Sequence, residues 1–105
     1  MMMYVCREMQ AGEILNPHKT ESPLLQAILY GDKVATKKLS KRLSCAIKRL
    51  PLRVRFEYEY NAEKAIEAGV EKDPTLVLDG NIFLEGLPQA EQITEAFESF
   101  LETRD

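Results

Sequence analysis

The residue types in this sequence best suited to covalent chemistry are two cysteines, Cys6 and Cys45, and one histidine, His18. A thiolate attacks electrophiles and binds metals, and an imidazole takes up protons near neutral pH. Spacing decides whether they can cooperate. The cysteines stand 39 positions apart, which fits no zinc or iron–sulfur pattern. His18 sits in the polar stretch Asn16-Pro17-His18-Lys19-Thr20-Glu21-Ser22, a composition that reads as a solvated loop. We therefore expect no metal site and no cofactor.

Residues Met1–Leu15 show no basic region followed by an apolar one, and no apolar run approaches the ~18 residues of a membrane span. The expected setting is cytoplasmic, where two cysteines read as reduced thiols in preference to a structural disulfide. A Cys6–Cys45 bond stands as the less favoured alternative. Cys45 is the candidate reactive thiol. It falls on the polar side of an amphipathic segment, with Lys41, Arg42, Lys48 and Arg49 three or four residues away. Clustered cations stabilise a thiolate. The same pattern also describes an idle cysteine on a solvated helix face, and that plainer reading is preferred.

These residues need a scaffold, and its elements are legible. Leu24-Leu25-Gln26-Ala27-Ile28-Leu29-Tyr30, between Pro23 and Gly31, is a short apolar run that predicts a buried strand. Over 33–50, Ala35, Leu39, Leu43, Ala46, Ile47 and Leu50 recur at helical spacing, and Pro51 stops the helix. Residues 52–60 alternate strictly: Leu52, Val54, Phe56, Tyr58 and Tyr60 against Arg53, Arg55, Glu57 and Glu59. That is the period of a half-buried strand. Asn61 caps a short helix over 62–68 that ends at Gly69. The runs 75–78 and 81–84 flank Asp79-Gly80, a hairpin turn. Pro88 opens a last helix with Ile93, Ala96, Phe97, Phe100 and Leu101 on its apolar stripe.

From residue 23 onward the order is βαβαββα: an α/β domain over 23–105 with a four-stranded mixed sheet ordered 52–60, 24–30, 75–78, 82–85. Residues 1–22 form an N-terminal extension. Tyr4–Met9 and Glu13–Leu15, around Gly12, predict either an extra hairpin or a disordered leader. Such a hairpin could cover a sheet edge or pair with a second copy, so a homodimer is one expected arrangement.

The segment Val70-Glu71-Lys72-Asp73-Pro74-Thr75-Leu76-Val77-Leu78-Asp79-Gly80, running on to Pro88, resembles the C-terminal half of the small thioredoxin-like redox-disulfide (glutaredoxin-like) domain family. The resemblance covers about residues 23–102 and implies a thioredoxin-like fold with a cis-proline at Asp73-Pro74-Thr75. It also implies a Cys-x-x-Cys at the start of the first helix. There this sequence reads Lys33-Val34-Ala35-Thr36, with Lys33 in the position of the attacking cysteine and Thr36 in that of the resolving one. The dithiol site is lost, and turnover of a protein disulfide is not expected. What the resemblance still implies is a groove lined by Gly31, Lys33, Thr36, Asp73, Pro74 and Thr75 that receives an extended peptide.

The favoured reading is therefore a non-catalytic, redox-inactive module that binds a protein or peptide partner and is not an enzyme. The alternative is a single-thiol oxidoreductase or redox sensor using Cys45 or Cys6. Charge adds one constraint. Residues 33–55 carry nine cations and no acid, whereas 56–105 carry three cations and thirteen acids. The basic element suits an acidic partner or a solvated face. The net charge of −3, and the lack of aromatics among those cations, argue against nucleic acid.

Overall fold

The computed structural model describes residues 6–103. Strand β1 (Ile14–Leu15) precedes β2 (Leu24–Tyr30), and helix α1 (Lys33–Ile47) leads to β3 (Arg53–Glu59). Helix α2 (Ala62–Glu67), the hairpin β4 (Thr75–Leu78) and β5 (Asn81–Glu85), and helix α3 (Ala90–Thr103) complete the chain. The expected βαβαββα order is present, with one strand added at an edge. The sheet runs β1-β3-β2-β4-β5.

Strands β2 and β3 are parallel and in register from Leu24–Arg53 to Tyr30–Glu59. Two strands joined by one helix must pair this way, because the crossover returns the chain in the same direction. The β4–β5 hairpin is antiparallel and closes through Asp79 (φ 47°) and Gly80 (φ 87°). Both central turn residues have positive φ, which matches the twist of the flanking strands. The pairing shifts between Leu76 and Val77, leaving Phe83 without a partner across the ladder. Phe83 packs on Phe97 and Phe100 of α3, with centroids at 4.8 and 5.7 Å.

The alternation of β3 is carried into the structure. Val54 and Phe56 are fully buried, while Arg53, Arg55 and Glu57 line the other face. Leu39, Leu43 and Ile47 of α1 and Ile93 and Phe97 of α3 close the core over Leu25, Ala27 and Leu29. Helix α1 ends at Ile47 rather than at residue 50. Residues 48–50 form a turn, held by the Leu50 amide on the Ile47 carbonyl, before Pro51. Helix α3 begins two residues after Pro88, where the Gln89 amide donates to the Gln92 side chain. Helix α2 buries none of its residues.

The N-terminal segment covers a sheet edge through Ile14 and Leu15, one of the arrangements expected of it, but the described part of the expected hairpin's first arm is not a strand. Tyr4 and Val5 lie outside the described residues. Residues 6–10 form no strand and no hairpin; they run as a strap along α1. Met9 is buried in the core. Its amide donates to Ser40 Oγ (2.8 Å), and the Ser44 hydroxyl donates to the Arg7 carbonyl (2.9 Å). The Tyr58 hydroxyl bridges the Met9 carbonyl and Ser40 Oγ. Thr36, Ser40 and Ser44, spaced by four, make a buried stripe of small polar side chains under the strap. The chain then crosses to the sheet edge, where Ile14 and Leu15 pair antiparallel with Arg55 and Val54.

Candidate functional site

The two ends of α1 are built differently. At its N-terminus, Gly31 turns the chain out of β2 with φ 141°, a region that other residues rarely enter. A Cβ there would overlap the Asp73 carboxylate and lie 3.2 Å from Pro74 Cα. Asp32 caps the helix: its carboxylate accepts from the Ala35 amide at 2.7 Å. That bond is the first cause holding the Asp32 carboxyl below the usual aspartate range. The Asp32 amide in turn donates to Asp73 at 3.1 and 3.3 Å. The β2–α1 junction and the loop before β4 are thus locked together, and the Asp73–Pro74 peptide bond is cis.

Around this junction the structure gathers some of the expected groove residues and separates others. Gly31 and Asp73 line a cleft of about 350 Å³ with Asp32, Tyr60, Ile66 and Val70. Tyr60 and Ile66 are exposed there, Ile66 at 73%. Lys33 and Thr36 border a second, smaller cleft of about 160 Å³, together with Glu8–Ala11 of the strap. Tyr60 stands between the two and lines both. Lys33 holds its ammonium 5.7 Å from the centre of the Tyr60 ring, within cation–π range. Thr36 is buried, and its hydroxyl donates to the Asp32 carbonyl at 2.9 Å. Pro74 and Thr75 are buried as well. The Pro74 carbonyl accepts from the Gly86 amide, and the Thr75 hydroxyl donates to the Lys72 carbonyl.

At the C-terminal end of α1, Cys6 and Cys45 form a disulfide with Cα atoms 5.3 Å apart. This corrects two expectations: the cysteines are not reduced thiols, and Cys45 is not a lone reactive thiol. The physical reason is the strap, which carries Cys6 back along α1 to Cys45. The same extension closes the helix end. Asn16, buried with φ 60°, donates through Nδ2 to the Ile47 and Leu52 carbonyls at 3.1 and 2.9 Å. The Lys19 ammonium donates to the Lys48 and Leu50 carbonyls. A cation there offsets the negative end of the helix dipole. Arg7 pairs with Glu13, and that pair holds the Glu13 carboxyl down at about 2.

His18 is exposed and belongs to neither cleft at the start of α1. It borders a third cleft, beside the disulfide. Among the described residues no group of His, Cys, Asp or Glu is arranged to hold a metal ion. Nor is any described helix long and apolar enough to cross a membrane.

The parallel β2-α1-β3 unit, the β4–β5 hairpin and the closing helix define an α/β thioredoxin-like domain. Residues 34–98 match the family model described as a thioredoxin domain, and the chain belongs to that family. No curated protein matches the chain.

Proposed function

We propose that this chain is a thioredoxin-like binding module, whose cleft at the β2–α1 junction takes an extended peptide segment. One observation carries the reading. Thr36 and Lys33, at the first turn of α1, are engaged by the protein itself, Lys33 on the Tyr60 ring, while the cleft beside them leaves Ile66 and the uncovered part of Tyr60 exposed. An apolar side chain of the partner would rest on Tyr60, Ile66 and Val70. The rim carries Asp32, Glu71 and Asp73 against Lys72 alone, so a flanking cation in the peptide is favoured.

The test is selection of decapeptides from a displayed random library on the purified domain, followed by Kd measurement on variants. Ile66→Asp introduces a charge on an exposed side chain and leaves the core untouched. It should weaken a selected peptide at least about tenfold, or ~1.4 kcal/mol. Glu91→Gln, on α3 away from the cleft, should leave Kd unchanged. Peptides that bind Ile66→Asp as well as the parent would overturn the reading.

A second reading rests on a separate observation. The Cys6–Cys45 disulfide gives the chain one redox-capable group, and it supports a thiol-dependent role of the pair rather than of a single cysteine.

A further inference from the structure

We propose that the Cys6–Cys45 disulfide is a thiol–disulfide exchange site, reached from the cleft beside Cys6 and suited to a small thiol that carries carboxylates. The cleft has a volume of about 350 Å³, within the usual range of small-molecule sites. Cys6 lies in its wall, and both cysteines are only half-buried. Arg7 and Lys48 line it beside His18, and among the described residues no carboxylate does. Of the acids near Cys6 in sequence, Glu8 lines the cleft at the start of α1 instead, and Glu13 is paired with Arg7. Lys41 on α1 and Arg49 in the turn that follows it lie four residues before and after Cys45, and residues 33–55 contain no acid. The lining therefore favours an anionic reactant by charge.

Exchange here is balanced by the small thiol alone. Its thiolate attacks Cys6 Sγ, the disulfide breaks, and the bonding pair leaves on Cys45 Sγ, which takes a proton from solvent. A second small thiolate attacks the small-thiol sulfur of the mixed disulfide and releases the Cys6 thiolate. Two thiols are oxidised to one small disulfide, and the protein gains two electrons and two protons. The small disulfide reverses the sequence. The cations near Cys45 help it to leave as a thiolate. Lys19, on the Lys48 and Leu50 carbonyls, counters the helix end that would oppose it.

The experiment uses the oxidised full chain and three probes: glutathione, 2-mercaptoethanol and cysteamine, which are anionic, neutral and cationic. Reduction is followed by acid quench, alkylation and mass measurement, and rates are expressed per thiolate. Glutathione thiolate should react fastest and cysteamine slowest, with about a fivefold step for one favourable charge contact in water. Near 1 M salt, where the screening length is about 3 Å, the spread should collapse. In single-cysteine variants treated with glutathione disulfide, Cys6 (in Cys45→Ser) should take the adduct faster than Cys45 (in Cys6→Ser). Reduction that occurs only in denaturant, an equal or reversed order of the three thiols, or a faster adduct at Cys45 would overturn the proposal.

Discussion

The N-terminal end of α1 is assembled from neighbours in sequence and one loop, whereas its C-terminal end is closed by the distant N-terminal segment. At the first end, Gly31, Asp32 and the Asp73 loop lock to one another and leave an open cleft. At the second, the strap, Asn16, Lys19 and a disulfide all converge on the last turn. The disulfide thus sits at the end opposite the β2–α1 junction. One helix borders an open cleft at one end and carries a covalent tie at the other.

Removing the tie should have the largest effect. The disulfide closes the chain from residue 6 to residue 45, and the Cys6→Ser/Cys45→Ser double variant should lose about 4 kcal/mol on the loop-entropy account. Urea unfolding measures this, and a loss below about 1 kcal/mol would show that Met9 and the serine stripe hold the strap without it. The comparison sharpens if native-state hydrogen exchange in the double variant speeds up at the Met9 amide while Ala35 keeps its protection.

Next in size is Gly31→Ala. The added Cβ meets the Asp73 carboxylate and approaches Pro74 Cα at a φ that alanine rarely adopts. We expect a loss of about 2–3 kcal/mol in thermal or urea unfolding. A neutral result would mean that the junction can shift, and the rigidity assigned to this end would be wrong.

The smallest effect is electrostatic. Glu13 is held at about 2 in the folded chain, against an ordinary value of 4.5. A lowered carboxyl contributes stability that is fully present above the ordinary value and is lost as pH falls through the folded one. The window is therefore about pH 4.5 to 2. Carboxyl-detected NMR titration should find Glu13 well below its ordinary value, and Arg7→Gln should return it upward. Because the pair is solvent-accessible, its effect on stability should be the smallest of the three and should shrink in salt.

The first end was largely legible in the sequence, and the second was not. Strand β3 shows itself through strict alternation, and α1 through Leu39, Leu43 and Ile47, because each buries a single periodic face. Gly31 and the Asp73-Pro74-Thr75 motif pointed to the junction. The groove itself was only partly legible: Thr36 turns inward and bonds its own helix, and Tyr60, Asn61 and Ile66, which line the cleft, lie in segments read only as strand and helix. The strap carries no local period. Its stability comes from Met9 entering a distant core and from Asn16 bonding carbonyls more than thirty residues away. A spacing of 39 does not reveal a disulfide, since pairing depends on where the backbone returns. One signal was available: Thr36, Ser40 and Ser44 at four-residue steps beside the apolar stripe, small enough to let another segment lie close.

The most direct test of the two-ended account is an amide NMR titration of the labelled chain with a selected decapeptide, repeated on the Cys6→Ser/Cys45→Ser variant. The account predicts shifts centred on Gly31, Asp32, Tyr60, Ile66 and Asp73, with the same pattern in both proteins. Shifts centred instead on Arg7, His18 and Lys48, and lost in the double variant, would contradict it.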